Sequence, residues 1–323
     1  MTLPTVLDVY DARRRLLPRL SPTPLRASSW LSDAAGGPVL LKLESTNPTC
    51  SFKVRGAYNA LVRLVAEHPD PATRPPVVTA SAGNHGRAIA FAAEQLGVRV
   101  VIFTPATAPR TKRAAILRHG AELHDEPPTY DEAERAARAF AQERGGLYIS
   151  PYNHSDVIAG AGTVALEIVD ALPDVKTVVV PLGGGGLASG VGLALRAAAP
   201  GARLVGVEAA ASVAFTTSLA RGAITQIDPA PTLADGLAGN LEPGSITFPL
   251  VQQVVDDVVT VSEAELRAAM RATAAEEHLI VEGAACVAVA AMAARRGVSV
   301  WPAVVILTGS NVDVETLAEV LRS

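Results

Sequence analysis

The 323-residue sequence has little of several residue types, and each shortage excludes a class of protein. Its two cysteines, Cys50 and Cys286, cannot build a disulfide framework or a C-x-x-C metal site. Aromatic residues make up only 4% and the net charge is −4, which argues against a nucleic-acid partner. The longest apolar run, 284–294, is too short to span a membrane, and the N-terminus has no signal-peptide pattern. We therefore expect a cytoplasmic globular protein.

The hydrophobic residues, 49% of the chain, are arranged in strand-like and helix-like segments that alternate from end to end. This alternation predicts an α/β fold with open, mostly parallel twisted sheets covered by helices. Four of the nine residues in 68–76 are prolines, which interrupt the pattern. We expect a small domain, residues 71–146, inserted in a larger domain formed by residues 1–70 and 147–323.

The most informative segment is a run of four glycines between a predicted strand (177–180) and a predicted helix. The run consists of Gly183, Gly184, Gly185 and Gly186, and Leu187 follows it. Such a turn exposes backbone N–H groups at the positive end of a helix dipole, and it has no Cβ atoms that would keep a ligand away. An anionic phosphate is the ligand that this geometry suits best.

Two kinds of phosphate ligand remain open on spacing alone. Residues 183–188 satisfy the dinucleotide fingerprint G-x-G-x-x-G/A, and Glu208 lies near the offset of about 20 residues at which a ribose is bound. A nicotinamide-dependent dehydrogenase is therefore one interpretation. A small phosphorylated cofactor, anchored by its phosphate alone, is the other.

Lys53 favours the small cofactor. It lies after the strand-like residues 39–43, where the next predicted helix begins. A helix N-terminus is an unfavourable place for a cation, and the local positive potential lowers an amine's pKa. A neutral amine can attack an aldehyde. Polar turns follow two further predicted strands, at residues 81–86 and 308–313, and open α/β sheets bind ligands at the carboxyl ends of their strands.

Taken in order, these segments resemble the fold-type-II pyridoxal-phosphate enzymes of the threonine/serine dehydratase (ammonia-lyase) and serine racemase family. The matching segments are Thr23–Leu25, Lys42–Glu44, Ser51–Asn59, Ser81–His85, Gly183–Leu187 and Thr308–Asp313. The resemblance covers nearly the whole chain and implies a tryptophan-synthase-β-like fold with two sheets. It also implies that the cofactor is pyridoxal 5′-phosphate.

The resemblance assigns roles to individual residues. Lys53, beside Phe52, would form the Schiff base, Asn84 would bond the pyridoxal 3′-oxygen, and Thr308 would face the pyridine nitrogen. The amides of Gly183, Gly184, Gly185, Gly186 and Leu187 would hold the phosphate. The substrate-binding residues would be Ser81, Ala82, Gly83, Asn84, His85, Asp235 and Gly236. Glu282 lies in a segment that the family also has near its cofactor.

Thr308 also bears on the reaction type. A hydroxyl cannot keep the pyridine nitrogen protonated as a carboxylate would, so the ring is a weaker electron sink. A carbanion at Cα is then less delocalised, and loss of a β-substituent is favoured over transamination.

Several positions depart from the family pattern. Ala82 replaces the serine that donates a proton in serine racemases, which favours dehydration. The family's cation site has a carboxylate at Glu208 and another at the position of Ala214, so the sequence does not predict a complete cation site. Cys50 and Ala161 replace a glycine and a glutamine, and either change could alter which amino acid fits.

The activity implied by the resemblance is conversion of L-threonine, L-serine or both to a 2-oxo acid and ammonia by α,β-elimination. Alternatives within the family are a serine racemase and a hydroxyaspartate dehydratase. Outside it, the alternatives are the nicotinamide-dependent dehydrogenase and a non-catalytic cofactor carrier or sensor. The expected partner is a small hydroxyamino acid, and the expected assembly is a homodimer. Only ten residues follow Asp313, so we expect no regulatory domain and simple saturation kinetics.

Overall fold

Two sheets organise residues 2–322, the part of the chain that the computed structural model describes. The strands are β1 (Leu25–Ala27), β2 (Val39–Leu43), β3 (Val77–Ala80), β4 (Val100–Phe103), β5 (Glu122–His124), β6 (Leu147–Tyr148), β7 (Thr177–Pro181), β8 (Arg203–Ala209), β9 (Asp257–Val261) and β10 (Ala303–Leu307). The helices are α1 (Val6–Leu16), α2 (Ser29–Ala35), α3 (Lys53–Glu67), α4 (Asn84–Leu96), α5 (Arg110–Leu117), α6 (Tyr130–Arg144), α7 (Ser155–Ala171), α8 (Gly186–Ala198), α9 (Ala214–Arg221), α10 (Thr247–Val254), α11 (Glu263–Glu276), α12 (Gly283–Ala293) and α13 (Val314–Arg322). Two 3₁₀ helices are Glu44–Thr46 and Asp235–Leu237.

Local sequence explains where these elements begin and end. At the start of α6, the Thr129 side chain accepts a hydrogen bond from the Glu132 amide, and the helix ends at Gly145 in a left-handed conformation (φ 63°). The central strands β7 and β10 are buried along their whole length, as expected of parallel strands covered on both faces. Within residues 2–322, no helix combines the length and the apolar composition needed to cross a bilayer.

The larger sheet has six strands in the order β1-β2-β10-β7-β8-β9. All neighbouring pairs are parallel except β1 and β2 at one edge. The last strand of the chain, β10, therefore lies between β2 and β7. The predicted α/β class with mostly parallel sheets is confirmed.

Helices cover both faces of the larger sheet. On one face, α12 is buried on every side, and its small residues let it pack closely between the sheet, α2 and α11. On the other face, α7 and α8 pack against each other and against α1. Buried hydrophobic clusters therefore lie on both faces of the larger sheet.

The smaller sheet is parallel and has the order β5-β4-β3-β6. The sequence assigned residues from 147 onward to the larger domain, but β6 pairs with β3 in this sheet, with Val77 opposite Leu147 and Val78 opposite Tyr148. We therefore propose that the small domain ends after Tyr148. Helices α3 and α4 share one hydrophobic cluster with this sheet, and α6 covers its other face.

Candidate active site

Lys53 is the first residue of α3, the next α-helix after β2. Two backbone contacts attach the segment before it to the end of β10. The Phe52 amide donates to the Thr308 carbonyl at 3.0 Å, and Ser51 forms an isolated bridge with Gly309. The amine of Lys53 is thereby fixed beside the carboxyl ends of β2 and β10.

The Lys53 amine lies in a partly buried environment. Its Nζ donates to the Pro151 carbonyl at 2.8 Å and lies 5.0 Å from the centre of the Phe52 ring. Burial lowers the pKa of Lys53 to about 8, and the charge of Glu282 opposes this shift. The sequence attributed a lowered pKa to the helix N-terminus, whereas desolvation is the principal cause in the structure. A substantial fraction of this amine is neutral, and nucleophilic, at mildly alkaline pH.

The glycine run forms the turn between β7 and α8. Gly185 is left-handed (φ 83°), and Gly186 begins the helix. A Cβ on Gly184 would lie within 2.7 Å of three ring atoms of Tyr152, and a Cβ on Gly185 would lie 2.6 Å from Phe215 Cζ. Because the first N–H groups of a helix have no intrahelical acceptor, this side-chain-free turn presents free donors to an anion.

The loop after β3 makes a second helix start. Ser81 Oγ accepts from the Gly83 amide at 3.2 Å, and Asn84 is the first residue of α4. The buried His85 has its Nε2 3.3 Å from the Ile149 carbonyl. Burial, followed by the charge of Lys53, lowers the pKa of His85 to about 3, so its ring is neutral at physiological pH.

Asn84 links the two halves of the site. Its Nδ2 donates to Glu282 Oε1 at 2.8 Å, and its Oδ1 accepts from Asn311 Nδ2 at 2.6 Å. Burial raises the pKa of Glu282 to about 7, and the nearby charge of Asp235 adds to the shift. Glu282 is therefore a carboxyl that changes protonation near neutral pH, within reach of the Asn84 amide.

A cavity of about 1060 Å³ lies between the two sheets and collects the residues that the sequence nominated. Its lining includes Phe52, Lys53, residues 81–85, residues 183–187, Asp235, Gly236, Glu282 and Thr308. These residues come from loops at the carboxyl ends of β2, β3, β7 and β10 together with two turns near α12. The tertiary fold thus brings them together from positions as far apart as residues 52 and 308.

Glu208 is the nominated residue that lies elsewhere. It belongs to β8, and its carboxylate accepts from the Phe215 amide at 2.7 Å and from the Thr216 amide and hydroxyl at 2.9 and 2.6 Å. It therefore caps the start of α9, and both oxygens that could bind a ribose are occupied. No group of three His, Cys, Asp or Glu side chains in residues 2–322 is arranged to hold a metal ion.

Other residues of the cavity wall were missed by the sequence analysis. Pro151 acts through its backbone carbonyl, Tyr152 through its ring, and Glu242 through a buried carboxylate. Lys112 of α5 forms an ion pair with Asp235 at 2.5 Å, across the mouth of the cavity. A backbone acceptor has no sequence signature, and an ion pair between distant segments becomes visible only in the folded chain.

Together these groups fit one kind of ligand. The glycine turn offers amides to a phosphate, and the partly buried amine of Lys53 can attack an electrophilic carbon. Asn84 and Thr308 add polar groups to the wall of the same cavity. The donor set suits a small molecule that carries both a phosphate and a reactive carbonyl, next to a second helix start that can bind a carboxylate.

Comparisons with known proteins agree with this donor set. The family model described as "Pyridoxal-phosphate dependent enzyme" matches residues 16–309. The L-threonine ammonia-lyase of Thermotoga maritima is 38% identical over 98% of this chain and 78% of its own length. The structure of maize serine racemase superposes with a TM-score of 0.91 at 30% identity, covering 99% of this chain and 98% of the other. A threonine deaminase structure from Solanum lycopersicum gives a TM-score of 0.90 at 32% identity, covering 98% and 86%.

Proposed function

Since the chain belongs to the family of pyridoxal-phosphate dependent enzymes, we propose that it is a lyase that converts L-threonine or L-serine to a 2-oxo acid and ammonia. The observation that carries this proposal is the placement of the Lys53 amine and the glycine turn in one cavity. The family's cofactor is pyridoxal 5′-phosphate, whose phosphate and aldehyde match those two groups.

Four sets of groups would hold the cofactor: the Lys53 amine, the amides of residues 183–187, the Asn84 side chain and the Thr308 hydroxyl. When bound, the cofactor supplies an electron sink for the electrons released at Cα of the substrate. Lys53 Nζ is the base that takes the Cα proton, because its lowered pKa leaves part of it neutral.

The loop of residues 81–84 orients the substrate. Its amides lie at the start of α4, where the helix dipole favours the substrate carboxylate. Loss of the Cα proton and the β-hydroxyl removes water, and hydrolysis of the resulting enamine releases the 2-oxo acid and ammonia. Ala82 offers no proton donor on the face opposite Lys53, which favours elimination over the racemisation named for the maize relative.

The same family resemblance supports a cytoplasmic homodimer that acts on a small hydroxyamino acid. Light scattering coupled to size-exclusion chromatography measures the assembly directly. A mass near 33.3 kDa in solution, that of a single chain, would contradict the dimer.

The decisive test of the proposed function is the pair of variants Lys53→Ala and Lys176→Ala. Lys176 is an exposed lysine remote from the cavity, so its replacement controls for loss of charge. We expect Lys53→Ala to abolish 2-oxobutyrate formation from L-threonine and the visible absorbance of bound cofactor, whereas Lys176→Ala keeps both. Substantial turnover by Lys53→Ala would refute the role of Lys53. Tight binding of NADH by a wild-type protein without that absorbance would support the dehydrogenase instead.

A further inference from the structure

Glu242 is a buried carboxylate, 9% exposed, that the proposed reaction does not use. It lies in the loop that follows the 3₁₀ helix Asp235–Leu237 and lines the cavity. A buried charge is costly unless it is paired and hydrogen-bonded, so its partners reveal what it holds in place.

Three of its partners lie in one short segment between β6 and α7. Glu242 Oε1 accepts from Ser150 Oγ at 2.5 Å, and Oε2 accepts from Asn153 Nδ2 at 2.7 Å. The Glu242 amide donates to the Tyr152 hydroxyl oxygen at 2.8 Å. One residue thus holds both ends and the middle of the segment Ser150–Asn153.

The segment Ser150–Asn153 touches the two groups on which the proposed chemistry depends. The Pro151 carbonyl accepts the hydrogen bond from Lys53 Nζ. The Tyr152 ring packs against Gly184. Tyr152 Cα lies so close to Gly186 that a Cβ added to that glycine would be only 3.0 Å away from it. A displacement of this segment therefore moves the acceptor of the amine and the support of the phosphate turn together.

Arg138 supplies the charge partner. Its Nη2 lies 2.7 Å from Glu242 Oε2 and also 2.7 Å from Glu134 Oε1, and its guanidinium stacks 4.2 Å above the centre of the Tyr148 ring. Both Arg138 and Glu134 belong to α6, which covers the smaller sheet. Glu242 therefore ties a helix of the smaller sheet to the Ser150–Asn153 segment.

We propose that Glu242 is a positioning residue: its carboxylate fixes the Ser150–Asn153 segment, and the segment in turn fixes the Lys53 amine and the glycine turn. The expected effect of Glu242 on turnover rests on the proposed function. Its effect on cofactor binding follows from the contacts with Lys53 and Gly184 alone. Because Glu242 acts on the amine and the phosphate turn, its loss lowers kcat and cofactor affinity and leaves the KM for threonine nearly unchanged.

The test uses Glu242→Gln, with Glu134→Gln as the matched control. Both changes remove a carboxylate that pairs with Arg138, but only Glu242 contacts the Ser150–Asn153 segment. Misplacing a catalytic group by about 1 Å can cost about 100-fold in rate, and we expect Glu242→Gln to lower kcat by at least about tenfold. Equilibrium dialysis should show a loss of pyridoxal-phosphate affinity of similar size, while Glu134→Gln changes either quantity by no more than about twofold.

Two outcomes would overturn the proposal. One is a folded Glu242→Gln enzyme with wild-type kcat and cofactor affinity. The other is an equal loss of kcat and cofactor affinity in Glu242→Gln and Glu134→Gln, which would show that the effect comes from removing a negative charge beside Arg138. If Glu242→Gln does not fold, Ser150→Ala removes one of the same hydrogen bonds, and wild-type behaviour of that variant overturns the proposal as well. Failure of the wild-type enzyme to act on either threonine or serine would instead refute the proposed function, and the dialysis comparison would still test Glu242.

Discussion

Replacing Gly184 by alanine should harm the protein in two separable ways. The new Cβ would lie within 2.7 Å of three atoms of the Tyr152 ring, a distance that real side chains do not tolerate. The ring cannot simply tilt away, because its hydroxyl is held by the Glu242 amide. Overpacking of this kind costs about 1–3 kcal/mol in the free energy of unfolding. Each kcal/mol lowers Tm by about 2–4 °C in chains of 150–250 residues, and a similar or smaller shift applies here.

Differential scanning fluorimetry of the cofactor-free proteins isolates the first effect, and equilibrium dialysis with pyridoxal phosphate measures the second. Gly201→Ala is the control, because a Cβ there meets no atom within 4 Å. We expect Gly201→Ala to leave Tm unchanged or to raise it slightly. Gly184→Ala should lower both Tm and cofactor affinity. The glycine run alone predicts only the loss of affinity.

The double variant Gly184→Ala/Tyr152→Ala tests the cause. If the crowding against the ring is responsible, adding Gly184→Ala to a Tyr152→Ala background should cost little stability, so the two changes are strongly non-additive. Equal Tm values for the cofactor-free Gly184→Ala and Gly201→Ala proteins would refute the reasoning.

Two further predictions concern buried charges. Arg55→Met should lower the free energy of unfolding, measured in urea, by about 3–5 kcal/mol, because it leaves the buried Glu44 without its ion-pair partner and leaves Glu167 paired with Lys42 alone; a loss below about 1 kcal/mol would contradict this. For Glu282, a folded-state pKa of about 7 against an ordinary value of 4.5 means that the stabilising contribution of the protonated carboxyl is complete below pH 4.5 and is lost as the pH rises through 7. Without cofactor, the free energy of unfolding of wild type should therefore fall between pH 4.5 and pH 8 by about 1–3 kcal/mol more than that of Glu282→Gln, which has no carboxyl at this position. An identical pH dependence of Tm in both proteins would count against the raised pKa of Glu282.

Much of the fold could be predicted because its strands carry continuous apolar runs and its turns carry glycine or polar residues. The α/β class, the family and the cofactor are confirmed. Lys53 and the glycine turn could be nominated because each follows a recognisable strand. The strand order could not be predicted, since the apolar runs of β2, β7 and β10 contain nothing that specifies which strands become neighbours.

The rest of the site depends on long-range packing. Pro151 contributes a main-chain oxygen, and any residue carries one. Glu242 and Arg138 are 104 positions apart, and their pairing is a property of the folded chain. Glu208 illustrates the same dependence on folding: its offset from the glycine run is compatible with a ribose ligand, whereas in the folded chain its carboxylate accepts from the amides of Phe215 and Thr216.

The position of β10 sets the order in which the protein can be completed during synthesis. Residues 303–307 fill the gap between β2 and β7, so a chain growing from its N-terminus carries two open strand edges until these residues are made. Thr308 and Asn311, which line the cavity, follow β10 directly and are made just after it. Nascent chains and products that stop before residue 303 therefore expose apolar edges that can pair with one another.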